Sequence, residues 1–312
     1  MATWSLDSTR ETVHGHFSRD LKPILTIDSG DRVDFRTLDA RWYTEPHASP
    51  SAPQPPRIEP RDPVLDAGHC LVGPVYINGA QPGMTLEVQI HEIEIGSWGW
   101  TVAGFPSRAN DRLEVGDKFT YHLWSLDSAQ QTAQNQFGTE ISLNPFMGVM
   151  GMPTDEEGVL STAPPRFTGG NMDCKELLAG TTLYLPIAVP GGLFSVGDGH
   201  AAQGDGEVCG TAIECPMERV SLTFRVHPEM SLTTPRIRTS DSWMCLGFHE
   251  DLHEATMIAL SDMMDLMSVE YGISRSDAIA LASLVVDMRV TQIANGVNGV
   301  HAVLKDSAIR KV

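Results

Sequence analysis

Thr85-Leu-Glu-Val-Gln-Ile-His-Glu-Ile-Glu-Ile95 is the stretch on which the fold class turns. In an extended chain Leu86, Val88 and Ile90 point one way and Glu87, Gln89 and His91 the other, the period-two pattern of a half-buried strand. Near Glu92 the apolar phase changes, which predicts a bulge or burial of both faces. Upstream, Pro74-Val-Tyr-Ile77 and the turn Asn78-Gly-Ala-Gln-Pro-Gly83 lead into it, giving strand, turn, strand. The same order occurs earlier, where Ile24-Leu-Thr-Ile-Asp28 meets the turn signal Asp28-Ser-Gly-Asp31 and Arg32-Val-Asp-Phe-Arg-Thr-Leu38 follows. Downstream, Thr182-Leu-Tyr-Leu-Pro-Ile-Ala-Val189 and Val220-Ser-Leu-Thr-Phe-Arg-Val226 read as further strands, and 191–210 as a glycine-rich loop crowded with acids.

Two regions break this pattern. Between Glu45 and Pro63 seven prolines remove backbone donors and fix φ, so residues 45–63 form an irregular loop that crosses the surface or covers a site. After about Glu250 the period lengthens. Leu252, Thr256, Ala259, Met263 and Leu266 mark an amphipathic helix, and a second starts at Ser274, where Asp277 completes a capping box. Its inner face continues through Ala278, Leu281, Ala282 and Val285, and Arg289-Val-Thr-Gln-Ile-Ala294 then leads as a strand into the tight turn Asn295-Gly296. The expectation is a mainly β, α+β protein: a sandwich or barrel-like core over 1–240, with a helical region over 241–312 packed on the same unit.

Composition excludes several classes. With 312 residues, 41% of them hydrophobic, the chain can bury a large core. A formal net charge of -18 repels phosphate backbones and anionic lipid heads, so neither nucleic acid nor membrane is expected as a partner. The longest apolar run, 278–286, is too short to span a bilayer. Five cysteines, an odd number without a CxxC pair, fit a reducing compartment, and the first residues show no secretory pattern, so the expected location is cytoplasmic.

Chemistry concentrates in Ser195-Val-Gly-Asp-Gly-His-Ala-Ala-Gln-Gly-Asp-Gly-Glu207, which offers Asp198, His200, Asp205 and Glu207 spaced by glycines. Imidazole with carboxylates suits zinc or a similar divalent ion, and the oxygen-rich part suits calcium. An acidic surface turn is the plainer alternative. Gly169-Gly-Asn-Met-Asp-Cys-Lys-Glu176 adds Asn171 and Asp173, and His69 lies just before a strand. His249-Glu-Asp-Leu-His253 matches the zinc-peptidase pattern H-E-x-x-H, but it falls where a helix should begin, whereas that motif needs both imidazoles one turn apart inside a helix. Cys174 beside Lys175 resembles an amidase nucleophile, with a buried inert thiol as the alternative.

Four segments in order, Leu71-Val-Gly-Pro-Val-Tyr-Ile-Asn-Gly-Ala-Gln-Pro-Gly83, Pro145-Phe-Met-Gly-Val-Met-Gly151, Gly169 to Glu176, and Phe194-Ser-Val-Gly-Asp-Gly-His-Ala-Ala-Gln-Gly-Asp-Gly-Glu-Val208, resemble the acetamidase/formamidase family. The opening His16-Phe-Ser-Arg-Asp-Leu-Lys-Pro-Ile-Leu-Thr-Ile-Asp-Ser-Gly-Asp31 does too. The resemblance implies hydrolysis of the C–N bond of a small aliphatic amide to ammonia and a carboxylate, by a homodimer or higher homo-oligomer. It raises the loops of Asp173 and of 198–207 to site candidates and lowers both the H-E-x-x-H pattern and a Cys174 nucleophile. Segment 41–66 departs from the family pattern, which puts the usual substrate preference in doubt.

On this basis the expected metal ligands are Asp198, His200, Asp173 and His69. Glu207, Asp205 and Asn171 are the expected catalytic groups, and Phe146, Met147 and Phe194 line the substrate pocket. The expected cofactor is a divalent ion, zinc before calcium. A non-catalytic, metal- or ligand-binding β protein of the same fold is the alternative.

Overall fold

The structure, a computed structural model, describes residues 1–104, 112–116 and 118–310. Among these, two large sheets face each other across the main core. One has nine strands in the order Thr3–Leu6, Arg32–Thr37, Met217–His227, Thr85–Ile95, Thr182–Pro186, Arg236–Arg238, Ser242–His249, Asn298–Lys305 and Val286–Gln292. The other runs Gly169–Asn171, Phe146–Gly151, Phe194–His200, Leu71–Ile77 and Val13–His14, with Leu25–Ile27 beside Leu71–Ile77. A smaller sheet of Glu140–Ser142, Thr132–Asn135, Thr120–Asp127 and Trp98–Ala103 sits at one end.

Thr85–Ile95 is interior to the nine-stranded sheet, hydrogen-bonded to Met217–His227 on one side and Thr182–Pro186 on the other. Leu86, Val88 and Ile90 are buried in the core. Glu92 pairs with Ser221 while Ile90 pairs with Leu222, so His91 is the extra residue of a bulge. The phase change read from the sequence is this bulge, and it returns Ile95 to the buried side.

The expected strand-turn-strand units do form, but their strands are not hairpin partners. Leu25–Ile27 and Leu71–Ile77 lie in one large sheet, and Arg32–Thr37 and Thr85–Ile95 in the other. Each turn carries the chain across the sandwich, which is how a local strand signal becomes two layers. Phe194 from one sheet meets Phe224 from the other at a centroid distance of 5.0 Å. The segment expected as a loop over 191–210 contains the fully buried strand Phe194–His200.

The C-terminal part follows its periodicity with one shift of face. Asp251 caps the helix Leu252–Tyr271, accepting from the amides of His253 at 2.7 Å and Glu254 at 3.2 Å, and Gly272 ends it in the left-handed region. Ala255, Ala259, Met263, Leu266 and Met267 are buried, whereas Leu252 is exposed. Arg236 forks onto the buried Asp262 carboxylate at 2.7 and 2.8 Å and pins this helix to the nine-stranded sheet. Ser274 caps the helix Arg275–Val285, donating to Asp277 Oδ2 at 2.6 Å and accepting from its amide at 3.1 Å. The strand Val286–Gln292 then turns back into Asn298–Lys305 and leaves Asn295 at the tip. No described helix is long and apolar enough to cross a membrane.

Candidate active site

The strand Phe194–His200 lies between Phe146–Gly151 and Leu71–Ile77. Its register sets Met147 opposite Gly199 and Val149 opposite Gly197, which leaves Gly148 across from Asp198. A Cβ on Gly148 would stand 2.5 Å from Asp198 Oδ2, 2.8 Å from Asp173 Oδ1 and 2.8 Å from His200 Cε1. Glycine there keeps open the space in which these three groups meet. On the opposite face a Cβ on Gly197 would come within 2.3 Å of the Cys70 carbonyl oxygen, so only glycine lets the strands pack this closely.

Asp173, Asp198, His200, Glu207 and Glu214 are all buried. Ligand atoms of Asp173, Asp198 and His200 lie within 4.8 Å of one another, and so do those of His200, Glu207 and Glu214. His200 Nε2 is 3.3 Å from Glu214 Oε2 and 3.5 Å from Asp198 Oδ2. Asp173, Asp198 and Glu207 hold left-handed backbone angles, with φ of 47°, 59° and 44°. Such conformations disfavour residues with a side chain and persist where the surroundings hold them, commonly at functional sites.

The outer contacts orient this cluster. Gln203 Nε2 donates to the Asp173 carbonyl at 2.8 Å, which turns Gln203 Oε1 toward His200 Nδ1 at 3.0 Å. His200 therefore donates from Nδ1 and presents Nε2 to the carboxylates. The Ala212 amide donates to Glu214 Oε1 at 3.0 Å, and Asn295 Nδ2 donates to Asp173 Oδ2 at 3.1 Å. Asp173 Oδ1, His200 Nε2 and Glu214 Oε2 are left buried without a hydrogen-bond partner. Unpaired buried polar atoms are costly, and here they belong to one cluster of metal-ligand type. The donor set, one imidazole nitrogen and several carboxylate oxygens around a space free of side chains, fits a divalent cation.

Electrostatics follow from this crowding. Burial raises the Asp173 carboxyl well above its ordinary range, aided by Glu207, and lifts Glu207 to about 8. Burial also raises Glu214. It would raise Asp198 as well, but the imidazoles of His69 and His200 outweigh it and hold that carboxyl low. For His200 burial favours the neutral ring, yet Glu214 and Asp198 prevail and push its proton affinity up.

A cavity of about 570 Å³ opens onto Asp198, Glu207 and Glu214. His69 lines it, with the Thr162 hydroxyl oxygen accepting from its amide at 2.9 Å and lying 2.8 Å from its Nδ1. Asn171 lines it too, donating from Nδ2 to the Ala163 carbonyl at 3.0 Å.

The structure thus brings together Asp173, Asp198, His200 and Glu207 and sets His69 and Asn171 on the cavity wall. Four expected residues stand elsewhere. Asp205 is exposed beside Glu207 and pairs with Lys175 at 3.0 Å, away from this cavity. Phe146 lies behind His200, its ring edge-on at 5.1 Å. Met147 belongs to the core between the sheets, because neighbours on a strand face opposite ways and Gly148 takes the site face, and Phe194, at the far end of its strand from His200, is buried in the same core against Phe224. The loop 45–63 contributes no lining residue, although its flanks Arg41 and Val64 do. His249 ends a strand and His253 sits exposed in a first helical turn, so the H-E-x-x-H spacing places no pair inside a helix. Cys174 is buried and its thiol is pushed up to about 12 by burial, the state of an inert thiol.

Sequence reasoning missed Glu214 and Asn295. Glu214 is a lone acid in Ala212-Ile-Glu-Cys215, and an isolated charge in an apolar run was the available signal. Asn295 looked like turn chemistry only.

Known proteins resemble this chain in sequence and in fold. The sequence model of the Acetamidase/Formamidase family matches residues 2–161 and 153–240. The chain is 25% identical over 257 residues to a formamidase of Methylophilus methylotrophus, covering 65% of this chain and 61% of that protein. It thus spans about three fifths of the length of the formamidases it matches. An acetamidase structure from Bacillus halodurans superposes with a TM-score of 0.84 at 28% identity, over 96% of this chain and 97% of that one. One from Yersinia enterocolitica gives 0.83 at 25% identity, over 99% and 93%. By sequence over most of its length, and by fold over nearly all of it, the chain belongs to the acetamidase/formamidase family.

Proposed function

We propose that this protein hydrolyses the C–N bond of a carboxamide, releasing ammonia and a carboxylate, with a divalent cation held by Asp173, Asp198, His200 and Glu214. The observation that carries this reading is the unpartnered trio Asp173 Oδ1, His200 Nε2 and Glu214 Oε2 beside the cavity. The imidazole nitrogen favours zinc over calcium, whose sites are built from oxygen. When bound, such an ion supplies Lewis acidity to the amide carbonyl and lowers the pKa of water.

The chain's own groups do the rest. Glu207 is the proton carrier. Its buried carboxylate lies on the cavity wall beside His200 and Glu214, placed to take a proton from water and return it to the departing nitrogen. His69, steadied by Thr162, is a wall donor for the carbonyl oxygen as it gains charge. Gln203 fixes the ring of His200, and Asn295 fixes the carboxylate of Asp173. Asp205 has no part in this scheme.

The test is ammonia release by the purified, metal-replete protein from a panel of primary amides, beside elemental analysis of the same sample. Chelation is expected to abolish activity and an added divalent ion to restore it. Glu207→Gln is expected to retain metal and lose about a hundredfold in kcat, the scale of a lost general acid–base. Full activity in a metal-free sample would defeat the metal assignment.

A further inference from the structure

Resting on the amide hydrolysis proposed above, the geometry points to a narrower substrate class: we infer that this site takes amides with a bulky apolar acyl group, branched aliphatic or aromatic, in preference to formamide or acetamide. Size is the first observation. The cavity, about 570 Å³, falls in the range that holds ligands of drug-like dimensions. A pocket selective for acetamide would close over the reacting carbonyl with large side chains. Here Ala40, Ala67, Ala163 and Ala294 line the wall, four positions where only a methyl group intrudes.

The second observation is what the wall offers. Trp100 lines the cavity and is buried. Its indole N–H already donates to Asp39 Oδ2 at 2.7 Å. Its amide donates to the Glu214 carbonyl at 3.0 Å, and its own carbonyl accepts from the Glu214 amide at 2.9 Å. With its polar atoms engaged, Trp100 has only carbon to present, and its backbone pairing sets that carbon beside one of the site acids. Asp39 holds this arrangement from behind, accepting also from the Tyr43 amide at 2.7 Å.

The third observation lies at the rim. Val64 and Val159 both line the cavity while remaining 64% and 49% exposed. An aliphatic side chain left in water at the mouth of a pocket gains when a ligand covers it. The lining joins acids and an indole with two valines that stay open to water, alongside polar His16, Arg41 and Thr211. The apolar members suit a molecule that carries a hydrocarbon body behind its amide. Arg41 and Val64, both within segment 41–66, line the cavity, and Ala67 follows directly, so this stretch supplies part of the wall.

The experiment compares kcat/KM for formamide, acetamide, isovaleramide and phenylacetamide with the metal-replete protein, then repeats the series with Ala67→Trp and Val64→Asp. Both positions are exposed, which favours folding of the variants, and each serves as the check if the other fails. Since each methylene well packed in a pocket is worth on the order of tenfold in discrimination, phenylacetamide or isovaleramide is expected to exceed acetamide by at least about tenfold. Either substitution is expected to lower the phenylacetamide-to-acetamide ratio by about tenfold. Turnover of acetamide with a steady fall toward the larger amides would overturn the inference and leave amide hydrolysis standing. A ratio untouched by both substitutions would also overturn it. No ammonia from any of the four would bring down the hydrolase reading itself.

Discussion

Two segments of this chain carry histidine and carboxylate at spacings that suggest a metal: His249-Glu-Asp-Leu-His253 and Asp198-Gly-His200. The first matches a named pattern, and its groups are occupied with ordinary structural work. Asp251 caps a helix through the amides of His253 and Glu254, and His249 Nδ1 accepts from the Asp251 amide at 2.9 Å. The second matches no short pattern, yet it is buried, holds Asp198 in left-handed backbone and leaves His200 Nε2 without a hydrogen-bond partner. The difference teaches that a metal-type site is marked by burial and unsatisfied valence together. Spacing alone marks it poorly, because any acidic, histidine-containing helix start can reproduce it.

The sharpest way to break that comparison is to remove one imidazole from each segment. His200→Ala deletes the group shared by both carboxylate clusters and leaves buried carboxylates without it. Metal content is expected to fall to background and kcat/KM by about a thousandfold or more, as when a group essential to the site is lost. His253→Ala touches an exposed side chain and is expected to leave both within about twofold. Elemental analysis with steady-state ammonia assays reads the two variants together, and the reverse ranking would return the H-E-x-x-H segment to first place.

How much of this was legible in the sequence follows from the range of the forces involved. The strand Thr85–Ile95 and its bulge were readable because alternation is a local property of adjacent side chains, and the Ser274 cap was readable for the same reason. Which strands pair was not. The turn at Asp28–Asp31 says that the chain reverses, and the Asp31 amide does donate to the Asp28 carbonyl at 3.0 Å, but nothing local says that the next strand joins another sheet. The site divides along the same line. Asp198, His200 and Glu207 are close in sequence, whereas Glu214 is brought to His200 only by the bridge between their backbones. Phe146, Met147 and Phe194 adjoin the signature residues in sequence, while the fold sets Phe146 against the ring of His200 and buries the other two in the core between the sheets.

A milder test keeps every ligand and fills the space between them. Gly148→Ala adds one methyl group at a point 2.5 Å from Asp198 Oδ2 and 2.8 Å from Asp173 Oδ1, closer than real Cβ contacts allow. If the site needs that space, metal content and activity are expected to fall together by about ten- to a hundredfold, since small displacements of reacting groups cost on that scale. A thermal melt of the metal-free protein separates this from general damage. Wild-type activity in Gly148→Ala would show that the open space has no function.

Little effect on activity is expected at another buried histidine, on the same sheet as His200. His14 donates from Nδ1 to the His16 carbonyl at 2.7 Å and accepts at Nε2 from the Ser195 hydroxyl at 2.9 Å. Both ring nitrogens are satisfied by neutral partners, and burial lowers its pKa to about 4. An unfolded chain takes up this proton near pH 6.5, whereas the folded protein resists until about pH 4. The contribution is therefore fully present above pH 6.5 and is lost as the pH falls from there toward 4. Between pH 7.5 and 5 it amounts to roughly 2 kcal/mol of stability lost. His14→Gln keeps a donor and an acceptor but cannot titrate, so urea unfolding at the two pH values is expected to show a loss smaller by about that amount. Its kcat/KM at pH 7.5 is expected to stay within about threefold of wild type. Equal losses in both proteins would mean that His14 is not held neutral by its surroundings. A large loss of activity would mean that the satisfied histidine belongs to the chemistry after all, and the rule drawn from the two metal-like segments would fail at its simplest case.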